Sequence, residues 1–98
     1  MAKHDQYHKR YSNPNYLVEA SEAYAESMLD KSHDESISLH DRARFASMYD
    51  AANRLHLKLK ALVESHEVES TPVLFDQMLN SPEIKEIEVA RLSNSLNK

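Results

Sequence analysis

The sequence contains no glycine, no cysteine and no tryptophan among its 98 residues, and each absence excludes a class of site. Without cysteine there is no disulfide framework, no thiolate nucleophile and no cysteine-ligated metal. Without glycine the chain cannot form phosphate-binding loops, a dinucleotide fingerprint or a nucleophile elbow, because the backbone of these motifs requires glycine. The absences therefore exclude several enzyme classes and favour a small helical protein.

The composition is otherwise that of a folded, soluble protein, with 41% hydrophobic and 29% charged residues. The longest unbroken apolar runs are two or three residues, which is too short for a transmembrane helix. Basic residues near the N-terminus are not followed by the apolar stretch of a signal peptide. We therefore predict a cytoplasmic protein.

Charge is unevenly distributed along the chain, whose net charge is −4. Residues 37–66 carry five basic and three acidic side chains, whereas residues 14–36 carry one basic and six acidic, and residues 67–98 carry three basic and six acidic. A nucleic-acid-binding surface usually has a denser basic stripe than this. The pattern favours electrostatic pairing of one central helix with two acidic neighbours.

Each of the three prolines follows a residue that commonly caps a helix N-terminus, namely Asn13, Thr71 or Ser81. Proline is well suited to the first helical position, where its missing N–H is not needed. The three pairs predict helices over about 14–31, 72–80 and 82–96. Asn80 is predicted to end the helix over about 72–80 in the left-handed conformation, which asparagine tolerates.

The longest helix, which is the second of four along the chain, is predicted from about Ser38 to His66. Ser38 and Asp41 have the spacing of a capping box, although Asp34 and Ser36 are alternative caps. We therefore predict an all-α fold, a small antiparallel bundle of about four helices in one domain over residues 14–98, with residues 1–13 as a flexible basic tail.

Apolar residues recur at helical spacing in every predicted helix and define the predicted core. In chain order, the residues predicted to face inward are Leu17, Ala20, Tyr24 and Met28; Phe45, Met48, Tyr49, Ala52, Leu55, Leu59 and Leu62; Val73, Leu74, Phe75, Met78 and Leu79; and Ile84, Ile87, Ala90 or Val89, Leu92 and Leu96.

The sequence predicts no catalytic residue, no metal site and no cofactor. The metallohydrolase pattern H-E-x-x-H is missing, since Ser70 stands where the second histidine would follow His66 and Glu67. His66 is predicted to have a structural role near the end of the longest helix, where a positive charge complements the helix dipole. An unrecognised enzymatic site around His56 remains an alternative.

The longest helix also carries the candidate contact residues. Arg42 and Arg54 are more than three turns apart, so they cannot form one compact site in a monomer, although an antiparallel homodimer would bring Arg42 of one copy near Arg54 of the other. The candidates for contact with a partner or nucleic acid are Arg42, Arg44, Arg54, His56, Lys58 and Lys60, and the candidate apolar interface residues are Tyr16, Tyr24 and Tyr49.

The segment RARFASMYDAANRLHLKLKAL (Arg42–Leu62), preceded by the tyrosine- and alanine-rich first helix, resembles the central hairpin of HEPN domains. These are compact helical bundles of bacterial toxin–antitoxin and defence systems. Their ribonuclease members carry an arginine followed four to six residues later by histidine, and none of the five arginines here has that partner. The resemblance therefore implies a binding or regulatory protein, with no catalytic residue to carry over.

Two functions follow from these observations. The first is a non-enzymatic interaction protein that acts through protein–protein contacts, such as an inhibitor or regulator of a host system encoded by a phage or mobile element. The alternative is a HEPN-like RNA-binding protein or a component of a toxin–antitoxin or defence system. Binding to RNA or DNA that weakens steeply with salt would favour the second.

Overall fold

The computed structural model describes residues 13–96, which form four α-helices and no strand. The helices are α1 (Asn15–Ser32), α2 (Leu39–Glu64), α3 (Thr71–Leu79) and α4 (Pro82–Leu96). The all-α prediction is confirmed, and α2 is the longest helix as predicted. The predicted flexible tail lies almost entirely outside the described residues. Within those residues, no helix combines the length and apolar character needed to span a bilayer.

The central helix is α2, and α1 and α4 pack along it on either side. Against α1, His56 contacts Val18 and the Lys31 ammonium lies over the Phe45 ring. Against α4, the early residue Glu83 meets Lys58 and the later residue Arg91 meets Arg44. In both cases the residue numbers increase along one helix while those of their contacts on α2 decrease. Both α1 and α4 therefore run antiparallel to α2.

The core consists of two clusters along α2, and its largest fully buried side chains are Leu59 and Leu74. Ala51 and Ala52 lie at the centre of the second cluster, where their small side chains let neighbouring helices approach α2 closely. The buried members are Leu17, Val18, Leu55, Leu59, Val68 and Leu74 in the first cluster, and Ala25, Met28, Met48, Ala51, Ala52 and Ile87 in the second.

The buried face of α1 differs from the predicted one. Ala20 and Tyr24 were expected inside but are exposed, and Val18, Ser21 and Ala25 are buried instead. Small side chains at 21 and 25 allow close packing on α2, and the polar Ser21 hydroxyl is satisfied by donating to the Val18 carbonyl at 2.8 Å. The helix is consequently rotated so that the bulky Tyr24 lies at the edge of the contact.

The third and fourth helices bury less than their sequences predict. On α3 only Leu74 is buried, and Val73, Phe75 and Leu79 are exposed by 52%, 44% and 50%. A nine-residue helix that packs along one edge can bury only one narrow stripe. On α4, Leu92 was predicted to face inward but is exposed. Val89, which was the alternative to Ala90, is also exposed, whereas Ala90 is half-buried. The side chain of Leu96 lies outside the described residues.

The helix starts follow the predicted capping chemistry with two differences. The Asn13 side chain accepts from the Asn15 N–H at 3.0 Å, and Ser38 accepts from the Asp41 N–H at 3.2 Å. However, α3 is capped by Ser70 rather than Thr71, because the chain is already helical at Thr71. The Ser81 hydroxyl, which was expected to cap α4, instead donates to the Met78 carbonyl at 2.7 Å at the end of α3.

The left-handed residue is His66, with φ of 61°, and not Asn80, whose φ is −93°. The His66 N–H donates to the Val63 carbonyl, and the Glu67 N–H donates to the Leu62 carbonyl, both at 3.1 Å. This pair of bonds is a Schellman motif, which usually places glycine at the left-handed position. Because the chain has no glycine, histidine occupies it. Asn80 instead uses its side-chain amide to bind the Asp76 carbonyl at 2.9 Å.

Replacing His66 with glycine should stabilise the protein. The left-handed conformation costs a residue with a Cβ about 1–2 kcal/mol, and the greater freedom of glycine in the unfolded chain offsets part of the gain. We therefore expect His66→Gly to raise the free energy of unfolding by roughly 0.5–1 kcal/mol in urea titrations. The control is His33→Gly, since His33 ends α1 with φ of −103° and should gain nothing. An equal gain in both variants would contradict the explanation.

Candidate functional site

An open groove of about 420 Å³ lies between α1 and α4 on one face of α2. Met78 and Leu79 of α3 line one part of it, and the buried Ala52 and Leu55 of α2 form the floor. The walls come from α1 and α4, with Leu17, Ala20, Ser21 and Tyr24 on one side and Ile84, Ile87 and Glu88 on the other.

The lining of this α1–α4 groove is almost wholly apolar. Ser21 contributes a hydroxyl, but that hydroxyl is committed to the Val18 carbonyl. Glu88 is the one ionisable carboxylate of the lining. The groove therefore offers a place for apolar side chains, with a single negative charge on the α4 side.

Tyr24 lies at the mouth of the groove and is 38% exposed. Partial burial raises the pKa of the Tyr24 hydroxyl above its usual value, and the positive charge of Arg91 acts in the opposite direction. An aromatic side chain with a polar tip at the mouth of an apolar groove is typical of protein contact surfaces.

Two of the candidate basic residues hold α4 against α2. Lys58 donates to Glu83 at 2.7 Å, and Arg54 donates to both carboxylate oxygens of Glu86 at 2.7 and 3.1 Å. Arg54 also donates to Asp50 one turn away at 3.1 Å. The pairing of basic α2 with acidic α4 is the arrangement that the charge distribution favours.

The other basic candidates are spread along α2. Arg44 donates to Asp41 at 3.2 Å and to the Arg91 carbonyl at 3.1 Å, and its guanidinium lies 5.0 Å from the centre of the Phe45 ring. Lys60 is exposed. The pKa of Asp34 is lowered chiefly by hydrogen bonds from Ser36, and Arg42 adds a smaller effect. The six candidates therefore do not converge on one site within the chain.

His56 is only 7% exposed and joins α2 to α1. Its Nδ1 lies 3.0 Å from the Val18 carbonyl and 3.4 Å from the Ser21 hydroxyl, and its Nε2 lies 3.2 Å from a Glu22 carboxylate oxygen. These are the residue types of a hydrolase triad, but the geometry does not activate the serine. The Val18 carbonyl can only accept, so Nδ1 carries a hydrogen, and the Ser21 proton points to the same carbonyl.

The three candidate tyrosines take different positions. Tyr24 lines the groove, whereas Tyr16 is half-buried against the first core cluster and Tyr49 against the second. Packing of Tyr49 against the core agrees with its place among the residues predicted to face inward. The groove as a whole was missed, because no sequence signal gives the distance between α1 and α4.

Neither cofactor chemistry nor relatives add to this description. Within residues 13–96, no group of three or more histidine or acidic side chains is placed to hold a metal ion. Comparison of the chain with family models, curated proteins and solved structures finds no match. The HEPN resemblance therefore stays a prediction.

The buried carboxylate Glu83 should make stability depend on pH. The hydrogen bond from Lys58 lowers the pKa of Glu83 below its ordinary value of 4.5, against the opposing effect of burial. A carboxyl whose pKa is lowered by folding stabilises the protein above its ordinary pKa, and this contribution is lost as pH falls through the folded-state pKa. We therefore expect acid destabilisation below about pH 4.5.

Glu83→Gln should remove part of that dependence. At pH 7 the variant should be about 1–2 kcal/mol less stable than the wild type, since Lys58 loses its charged partner. The difference should shrink as pH falls, because Glu83 is then neutral in both states. Urea titrations from pH 7 to pH 3 measure it, with exposed Glu26→Gln of α1 as the control. A constant difference across this range would contradict the assignment.

Proposed function

We propose that this protein is a non-enzymatic interaction module that binds a protein partner through the α1–α4 groove. The observation that supports the proposal is an open apolar groove with Tyr24 and Leu79 exposed at its edges. Exposed apolar surface of this kind marks interaction sites on soluble proteins. The neighbouring Phe75, one turn from Leu79, extends the apolar surface along α3.

The length of the groove along α1 suits a short helical ligand. Its α1 wall runs from Leu17 to Tyr24, two helical turns or roughly 10 Å. An amphipathic helix that presents apolar side chains at positions i, i+3 or i+4 and i+7 covers the same length. A partner helix with three apolar anchors is therefore the expected ligand.

A protein of this kind acts by holding a helix of another protein in its groove. This corresponds to an inhibitor or regulator of a host system, encoded by a phage or mobile element and working in the cytoplasm. The engagement of Arg54 and Lys58 with acidic residues of α4 supports this proposal over RNA binding, because those cations already have partners.

The alternative proposal is a HEPN-like RNA-binding or defence component. It would use Arg42 and the exposed Lys60 together with the N-terminal basic residues. It predicts RNA binding at low salt with an affinity that falls linearly with salt on logarithmic axes. Undetectable binding of RNA at low salt, in fluorescence anisotropy, would eliminate it.

Affinity capture from cells of the source organism, with three versions of the chain, tests the main proposal. Ala20 is exposed and lines the groove, so Ala20→Glu places a carboxylate among apolar side chains without disturbing the core. Ala46→Glu makes the same change at an exposed position of α2 outside the groove. We expect a partner that the wild type and Ala46→Glu recover equally and that Ala20→Glu recovers at least tenfold less.

The captured partner is then purified and its affinity measured by calorimetry against the same three proteins. Equal affinity for Ala20→Glu and the wild type would overturn the groove as the binding site. Circular dichroism of all three versions establishes that the fold is unchanged.

A further inference from the structure

The three acidic residues of α4 differ in whether they have a cationic partner. Glu83 accepts from Lys58 at 2.7 Å, and Glu86 accepts from Arg54 at 2.7 and 3.1 Å. These two carboxylates are therefore neutralised by the central helix. Glu88 takes part in none of the ion pairs within the part of the chain that the structure describes.

Glu88 is exposed and lines the α1–α4 groove together with Ile84 and Ile87 of the same helix. The basic residues nearest to it along α4 are Lys85 and Arg91, three residues away on either side. Among the described residues neither of them forms an ion pair with Glu88. The carboxylate is thus solvated by water at the edge of an apolar lining, and a ligand that fills the groove removes part of that water.

The desolvation of Glu88 decides which ligand fits. Covering a carboxylate that has no cation or hydrogen-bond donor costs free energy, whereas a charge-assisted hydrogen bond from the ligand offsets that cost. A wholly apolar ligand therefore loses at Glu88 part of what it gains from the apolar lining. A ligand with a cationic group at this position avoids the loss.

We propose that the partner of the groove is a basic amphipathic helix, in which a lysine or arginine beside the apolar anchors pairs with Glu88. The inference rests on the proposed function, because it concerns the same groove and the same kind of ligand. It adds that Glu88 determines specificity, since a helix that is apolar or acidic at this position leaves a carboxylate unpaired or repelled.

The side chains of lysine and arginine suit this position. Their apolar stems can lie along Ile84 and Ile87 while the charged head reaches the exposed carboxylate of Glu88. The chain has a net charge of −4, so a basic helix is also attracted at long range, whereas an acidic helix or a second copy of the chain is repelled. The long-range attraction speeds association, and the local pair slows dissociation.

Selection from a displayed library of helical peptides, each of about 18 residues, tests the proposal. The anchors stand at positions i, i+4 and i+7 and vary among leucine, isoleucine, phenylalanine and methionine. The positions beside them vary among lysine, arginine, glutamine and glutamate. We expect the wild-type protein to enrich lysine or arginine over glutamate by roughly tenfold at one position beside the anchors.

Two variants separate the local charge from the overall charge. Glu88→Gln and Glu26→Gln each remove one negative charge, but Glu26 is exposed on α1 and does not line the groove. Glu26→Gln should keep the enrichment, and Glu88→Gln should reduce it to less than about twofold. The best selected peptide, measured by fluorescence anisotropy, should bind Glu88→Gln roughly tenfold more weakly than it binds the wild type.

Enriched peptides without a basic residue would overturn this proposal, and so would a basic preference that survives in Glu88→Gln. Either result is distinct from failure of the proposed function, which is judged by Ala20→Glu in the capture and calorimetry experiments. If no peptide is enriched, the groove does not accept a helix, and both proposals fail. A dimer in sedimentation velocity would in that case assign the groove to a second copy.

Discussion

Replacing Leu74 with alanine should lower the free energy of unfolding by about 3 kcal/mol and detach α3 from the rest of the protein. Leu74 is 0% exposed and is the only buried side chain of α3. Its loss leaves a cavity beside Leu59, the other large fully buried side chain of the same cluster. Because domains are stable by only about 5–15 kcal/mol, this is a large fraction of the total.

Urea unfolding followed by circular dichroism measures this loss, and hydrogen exchange of the α3 amides reports its local part. The matched control is Val73→Ala on the same helix, where the side chain is exposed and the cost should stay below about 0.5 kcal/mol. Similar small effects in both variants would show that Leu74 does not anchor α3. Since Met78 and Leu79 of α3 line the groove, Leu74→Ala should also weaken partner binding.

The second large effect is expected at His56, where alanine should cost about 3 kcal/mol. The change removes a ring that is 7% exposed, together with its contacts to the Val18 carbonyl and Glu22. Packing and the carbonyl contact account for most of the loss, because the Glu22 side chain is mainly exposed to solvent. His56 is therefore expected to be a structural residue, which argues against an enzymatic site built around it.

Glu22→Ala supplies the comparison for His56→Ala. Removing a solvent-exposed carboxylate should cost less than about 1 kcal/mol, so unfolding titrations at pH 7 should separate the two variants clearly. If both variants lost the same amount, the contact with Glu22 rather than the buried ring would be the source of stability. Retention of the full wild-type stability in His56→Ala would contradict the placement of the ring between α1 and α2.

The helices were predictable because their signals are local. Proline after a capping residue locates the starts of α1 and α4 within a residue, and the Ser38 hydroxyl caps α2 as its spacing with Asp41 predicts. The exposure of Val73, Phe75 and Leu79 was not predictable, because an apolar residue at helical spacing is buried only if another element covers it. The left-handed conformation of His66 was also not predictable, because it follows from the turn that brings Val68 back to the core.

The candidate site was predictable only in part. The segment charges predicted that basic α2 would pair with acidic neighbours, and Lys58 with Glu83 is such a pair. The sequence did not identify which acidic residues take part. Nor could it reveal the groove, which exists because α1 and α4 both pack on α2 while leaving a gap between them. Tyr24 was selected as a contact residue from its type, and only the rotation of α1 explains why it lies at the mouth.

Site-specific photo-crosslinking in cells of the source organism tests most directly whether the groove is the interaction surface. A photoreactive benzoylphenylalanine replaces Tyr24 at the mouth of the groove in one version and Lys60 on the exposed basic part of α2 in another. We expect covalent protein adducts from position 24 and none of comparable yield from position 60. Adducts to RNA or protein from position 60, with none from position 24, would contradict it.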